Sequence, residues 1–300
     1  MKNIIFIVLL SLFLLFVWFL MVNKIEASST LLFKSSFGEG VYLEKPNREK
    51  SEVWWQTIKG SDNNQFSWPI NLNGNTGKFQ MIFNDDNISH YAKNSLIKTI
   101  DNKGNSIHAV HQKIKHKEHG WSQDPYVIYT KDKEVKELYI RYSLKFPKNL
   151  ADLLGGDGWL AFCEYKTKSD NRLAFYIYCD KRDKHLYWYV HGDNVVKDDR
   201  PYEEYWFREN NKVKVPVGEW MDVELYWYRS STDDGRVWWS VNGKLIVDYH
   251  GPTKIKESIH EIMLFTNYAN KPIEQWVTNI EVWDGFPYKK GQSLYKKEQY

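Results

Sequence analysis

From Trp159 to Asn194 the chain reads WLAFCEYKTKSDNRLAFYIYCDKRDKHLYWYVHGDN, three aromatic-rich alternating runs separated by the polar breaks TKSDN and DKRDK. Period-two alternation between turn-forming breaks predicts three consecutive antiparallel strands. Successive side chains of a strand point to opposite faces. The first run sets Trp159, Ala161, Cys163 and Tyr165 against Leu160, Phe162, Glu164 and Lys166. The second sets Leu173, Phe175, Ile177 and Cys179 against Ala174, Tyr176, Tyr178 and Asp180, and the third sets Leu186, Trp188 and Val190 against His185, Tyr187, Tyr189 and His191. One face is apolar enough for a core. The other carries Glu164, Lys166, Tyr176, Tyr178, Tyr187, Tyr189 and His191. Aromatic faces stack on the C–H faces of sugars while hydroxyls and charges bond to their polar groups, so this is a candidate glycan platform. A plain solvated outer face is the competing reading.

The same period recurs downstream. ELYIRYSLKFPKNL turns Leu138, Ile140, Tyr142, Leu144 and Phe146 one way and Tyr139, Arg141, Ser143 and Lys145 the other, and Pro147 ends it. In GEWMDVELYWYRSSTDDGRVWWSVNGKLIVDYHGPT, Met221, Val223, Leu225 and Trp227 alternate with Asp222, Glu224, Tyr226 and Tyr228, with hairpin turns at DDG and NGK. EIMLFTNYA and QWVTNIEVWDGF supply two closing strands. DDRPYEEYWFRENNKVKVP, with Trp206, reads as a long polar loop, a lid or a connector. Residues 28–101 are broken by glycines into short strands and loops that wrap one edge of a main domain at 102–288, and the tail 289–300 is polar. The whole is an all-β sandwich or jelly roll.

The start of the chain follows a different rule. Lys2 precedes an apolar run from Ile4 to Val22, long enough to span a bilayer. Residues 1–27 are expected to form a hydrophobic helix, either a signal peptide cleaved near Ala27 or a signal anchor, which makes the protein secreted or membrane-anchored. Basic and acidic residues nearly balance at 41 to 38, and the basic ones are scattered, so no nucleic-acid partner is called for. With 14 Trp and 20 Tyr, aromatics outnumber the needs of a core and some must line a surface or cleft. Cys163 and Cys179, on core faces of neighbouring strands, either form a cross-strand disulfide or remain two small buried hydrophobes. His108, His111, His116 and His119 fall close together, but their spacing fits no tight zinc set.

ELYIRYSLKFP, GDGWLAFCEYKT, the GEW…NGK hairpin series and the closing WVTNIEVWDGFP together resemble the concanavalin A-like jelly-roll superfamily. Within it they look most like the polysaccharide-lyase branch of alginate, glucuronan and heparin lyases. The resemblance spans roughly Ser106 to Pro287. It implies a sandwich of two antiparallel sheets and β-elimination on uronate-containing glycans: a cation or amide binds the sugar carboxylate, a His or Tyr removes the C5 proton, and a Tyr protonates the leaving oxygen. Carried onto this chain, Glu164 and Lys166 stand where the family has Gln-x-His. His111, Gln112 and Lys113 stand nearest its basic strand, and Asn267 and Tyr268 echo its late tyrosine strand. The implied catalytic set is Glu164, Lys166, His111 and Tyr268. The implied substrate-binding set is Gln112, Arg141, Arg172, Tyr176, Tyr178, Tyr187, Tyr189, His191 and Asn267. No cofactor is implied, with a loop-bracing calcium as the one ion that some jelly rolls carry. The expected partner is a polysaccharide or cell-surface glycan met by a monomer. Three other readings stand beside the lyase: a lectin-like module using the same face, a structural or adhesion protein, and a glycoside hydrolase, for which Glu219, Asp222 and Glu224 are in the wrong order.

Overall fold

The computed structural model describes residues 29–50, 52–117, 122–130, 135–168, 172–193, 204–253 and 259–287. The expected hydrophobic helix and the polar tail lie outside the described residues, as does His119. In chain order the elements are β1 (Leu31–Ser35), β2 (Val41–Leu43), β3 (Asn47–Lys50), β4 (Val53–Gln56), β5 (Ile58–Gly60), β6 (Asn71–Leu72) and β7 (Asn75–Ile82). A short helix α1 (Ile88–Tyr91) leads to β8 (Ala92–Ile100), β9 (Ser106–Ile114), β10 (Ser122–Tyr129) and β11 (Glu137–Lys145). After α2 (Leu150–Leu154) come β12 (Trp159–Thr167), β13 (Arg172–Cys179), β14 (Leu186–Asp193), β15 (Glu204–Asn210) and β16 (Trp220–Tyr228). The chain closes with β17 (Arg236–Val241), β18 (Lys244–His250), β19 (Ile259–Ala269) and β20 (Glu274–Trp283).

Two antiparallel sheets carry the fold. The smaller runs β18-β17-β16-β11-β20-β9-β8, with β1 also pairing β20. The larger runs β15-β14-β13-β12-β19-β10-β7-β4-β3. Strands from the first hundred residues thus extend both sheets as well as forming the β2–β5 ribbon. The core lies between the sheets, and rings cross it: Trp239 of the smaller sheet meets Phe162 at 5.4 Å, Phe175 at 5.5 Å and Trp188 at 5.2 Å of the larger one. Tyr165 meets Trp227 at 4.5 Å. The alternation read for β11 and β16 holds, since Leu138, Ile140, Tyr142 and Leu144 lie beside Trp227, Leu225, Val223 and Met221 on the core face of one sheet. The NGK turn is a tight hairpin in which Asn242 and Gly243 both take positive φ, 49° and 71°, as a type I′ turn requires.

Two expectations are corrected. The segment read as a loop around Trp206 is an edge strand, β15, paired to β14. Trp206 packs flat on Tyr249, ring centroids 3.9 Å apart, and takes the space over Gly192, where a Cβ would lie 2.5 Å from the indole nitrogen. Phe207, Arg208 and Glu209 are all exposed, as an edge strand permits, while Trp206 turns inward. The cysteines are both free and buried. Cys163 sits opposite Phe175 in the β12–β13 register, four residues from Cys179, about 13 Å along the strand and beyond disulfide reach.

Packing is close where β7 passes Tyr126. The Tyr126 ring is enclosed by Trp68, Phe79 and Phe265 at 5.0–5.5 Å, and its hydroxyl accepts a hydrogen bond from the Ile70 amide. A Cβ added at Gly77 would run into that ring. Gly77→Ala is therefore expected to cost about 1–3 kcal/mol, the usual range for overpacking, read as a lower denaturation midpoint with an unchanged m-value.

Candidate functional site

The outer face of the larger sheet collects most of the predicted residues. Antiparallel pairing aligns them in rows across the strands. Tyr268 on β19 sits beside Ala161 on β12, then Tyr176 on β13 and Tyr189 on β14. The next row outward holds Trp159, Tyr178 and Tyr187. On the other side, Glu164, Ala174 and His191 form a row, followed by Lys166 beside Arg172. Ala161 and Ala174 are the low points, and taller rings rise around them.

The rings touch one another continuously. Trp159 stands edge-on to Tyr268 at 4.9 Å and to Tyr176 at 5.8 Å. Tyr178 stacks on Tyr187 at 5.8 Å, His191 stacks on Tyr176 at 5.3 Å, and Phe207 of β15 extends the strip by stacking on Tyr189. Phe207 is half exposed and marks the solvent end of the strip.

Charge is concentrated at one edge. Glu164 is fully buried, with one carboxylate oxygen 3.4 Å from Arg172 Nε and 3.8 Å from Lys166 Nζ. Lys166 also lies over the Tyr268 ring at 5.5 Å. Arg172 reaches the Tyr268 hydroxyl as a hydrogen-bond donor. Burial, and then the Glu164 charge, push the Tyr268 phenol above its ordinary value, against the opposing pull of Lys166 and Arg172. Burial likewise drives Tyr176 well above the phenol range. Tyr268 therefore holds its proton at neutral pH and is a donor there.

The remaining predicted residues stand elsewhere. His111, Gln112 and Lys113 belong to β9, which pairs with β8 and β20 in the opposite sheet and does not neighbour β19. His111 lies on that sheet's outer face, stacked on Trp276 at 4.7 Å and 3.0 Å from Glu274, and burial pulls its imidazole below the ordinary value despite that carboxylate. Gln112 points inward because it alternates in phase with Val110 and Ile114. Asn267 also points inward, one residue out of phase with Tyr268, and donates to the Ile273 carbonyl. Arg141 lies on the outer face of the smaller sheet, bonded to Asp222 at 3.1 Å. It lines a cavity of about 340 Å³ there with Lys34, Ser143, Asp222 and Glu281. Glu224, weighed as a hydrolase carboxylate, is buried on the same face and accepts hydrogen bonds from Tyr139 and Ser240.

Sequence reading missed Trp159. Strict alternation put it on the core face with Cys163, but β12 carries a bulge between Ala161 and Cys163, so Phe162 and Cys163 both enter the core. Trp159 and Ala161 therefore share the outer face with Glu164 and Lys166. Gln123 was also missed. It is aligned with Tyr268 on the strand that does neighbour β19, and the signal for it was the short alternating stretch SQDPYVIY. Among the described residues, no group of three or more His, Cys, Asp or Glu side chains is gathered to hold a metal, and no helix is long and apolar enough to cross a membrane.

No family model matches the chain, and neither does any curated protein by sequence. Several solved structures are similar in shape. An endo-β-1,4-glucuronan lyase from the fungus Trichoderma reesei is 13% identical, covering 64% of this chain and 89% of its own, with a TM-score of 0.43. The alginate lyase vAL-1 from Chlorella virus is 10% identical, covering 84% and 99%, with a TM-score of 0.37. The carbohydrate recognition domain of Emp46p is 10% identical, covering 66% and 90%, with a TM-score of 0.38. The architecture described above rests on this chain's own strand order and registers.

Proposed function

We propose that the tyrosine face of the larger sheet binds a uronate-containing polysaccharide outside the cytoplasm and cleaves it by β-elimination. The observation that carries this reading is the position of Tyr268, a partly buried phenol with its proton in place, beside the two cations Arg172 and Lys166. A sugar carboxylate drawn to Arg172 and Lys166 loses charge, which acidifies its C5–H. The C5 proton leaves to a base on the same face, the C4–O bond breaks as the C4=C5 double bond forms, and Tyr268 protonates the departing oxygen. We assign His191 as the base. Three strand spacings and a two-residue offset separate it from Tyr268, about 16 Å between backbones, which leaves room for a pyranose between the two side chains.

Glu164 takes no part in the proton transfers. Being fully buried, it holds Arg172 and Lys166 in place and is a positioning residue. That a buried Glu stands at this point also favours one second reading, a binding module that uses the same aromatic strip without chemistry.

The test is ultraviolet absorbance of the unsaturated uronate on incubation with alginate, glucuronan and heparin-type glycans. Absorbance is expected to rise on one of them. Tyr268→Phe should reduce the rate at least about a hundredfold while the chain stays folded, since it removes the transferable proton together with the hydroxyl that Arg172 reaches. No absorbance change, with retention on an immobilised glycan that Tyr176→Ala abolishes, would leave the binding module. No change and no retention would overturn both.

A further inference from the structure

Inside the sandwich, away from the tyrosine face, five buried polar side chains meet. Asn94, Gln112 and Gln275 form a row across β8, β9 and β20 of the smaller sheet. Asp124 and Asn267 are a cross-strand pair on β10 and β19 of the larger sheet. All five are nine-tenths or more buried. They bridge the sheets directly: Asn94 Nδ2 donates to Asp124 Oδ1 at 3.2 Å, and Gln112 Nε2 donates to the Asp124 carbonyl at 2.6 Å.

The orientation of the amides is uniform. Gln275 Nε2 is spent on Gln112 Oε1 at 2.8 Å, and Asn267 Nδ2 on the Ile273 carbonyl at 2.8 Å. Every amide thus directs a donor to a protein acceptor. The oxygens left over are Asn94 Oδ1, Asp124 Oδ2, Asn267 Oδ1 and Gln275 Oε1, buried and without a hydrogen-bond donor among the described residues. No basic side chain pairs with Asp124 among the described residues. Four buried lone-pair oxygens, one carrying charge, would each cost on the order of 1–3 kcal/mol if left unanswered.

We propose that these four oxygens form a buried site for a monovalent cation, Na+ or K+, which ties the two sheets together at this point. The donor set is all oxygen with a net charge of minus one. Transition metals favour nitrogen and sulfur, and calcium takes six to eight oxygens, several of them carboxylate in its tight sites. A single carboxylate with three amide oxygens neutralises one positive charge and no more. The site is independent of the lyase reading, because none of its five side chains reaches the tyrosine face.

The experiment is thermal unfolding of the full chain at pH 8 in NaCl, KCl or choline chloride at equal ionic strength. The midpoint is expected to rise with the concentration of Na+ or K+, following saturable binding to the native state, and to stay flat in choline. Asp124→Asn, which removes the charge at constant shape, should abolish that rise. The sodium resonance should broaden with the wild-type protein and not with the variant. If Asp124→Asn fails to fold, the wild-type salt comparison and the resonance decide alone. Coincident midpoints in all three salts, with an unbroadened sodium line, would overturn the proposal.

Discussion

Trp239→Ala is expected to lower stability by about 3–5 kcal/mol, the range for removing a buried Trp and leaving a partly collapsed cavity. For a chain of this size the melting temperature should fall by roughly 10 °C. Trp239 is fully buried on β17 and its ring packs against Phe162, Phe175 and Trp188 of the facing sheet. Its indole N–H has no hydrogen-bond partner among the described residues, so the loss is one of packing and not of a polar contact. Three strands of the larger sheet lean on this one side chain, and they are the strands that present Glu164, Tyr176 and Tyr189 on the opposite face. Urea unfolding followed by tryptophan fluorescence measures the effect. Leu245→Ala, half exposed on β18, is the control and should stay within about 0.5 kcal/mol. A cost below about 1 kcal/mol for Trp239→Ala would mean that the sheets do not depend on this contact.

The second large effect concerns pH. Burial raises the Asp124 carboxyl from 3.8 to about 7, with only the Asn94 and Gln112 hydrogen bonds opposing the shift. Between those values the folded protein holds a proton that the unfolded chain has released. Stability therefore falls as pH rises from about 4 to about 7 and is level above that. The magnitude is about 4 kcal/mol from this group alone, at 1.36 kcal/mol per unit. In choline chloride, the wild type should lose this amount across the window while Asp124→Asn does not, so the difference between the two curves isolates the carboxyl. Curves that run parallel from pH 4 to 8 would show that Asp124 ionises freely in the fold.

Much of the fold was legible because most strands keep strict alternation. Met221 to Trp227, Leu138 to Leu144 and Leu173 to Cys179 each assign their core face without ambiguity, and Asn242–Gly243 announces its own turn. Three features escaped. Alternation fails at a bulge, so Trp159 was given to the core. Sheet membership is not written in local pattern: β9 alternates as a strand of either sheet would, and only its long-range pairing to β20 puts His111 on the far side from Tyr268. A one-residue difference of phase also separates Tyr268 from Asn267, which proximity in sequence hides. The tyrosines, Arg172, Lys166 and Glu164 were legible as neighbours because they belong to consecutive hairpins, where adjacency in sequence is adjacency in space.

The bulge in β12 has a partner. On β19, Leu264 and Phe265 both enter the core, so that strand also changes phase, beside the point where Phe162 and Cys163 do. Each strand is thus written in two reading frames joined at the same level of the sheet. A deletion of Cys163 would close the bulge: Phe162 would stay inward next to an outward Glu164, so Trp159 and Ala161 keep the outer face and the β12–β13 ladder becomes regular. Losing one residue at Leu264–Phe265 would likewise restore plain alternation on β19, with Met263 and Tyr268 still on the outer face. A shortened strand would keep its faces and lose the bend and added twist of the bulge, so what these two points fix is the curvature of the sheet beneath the aromatic strip.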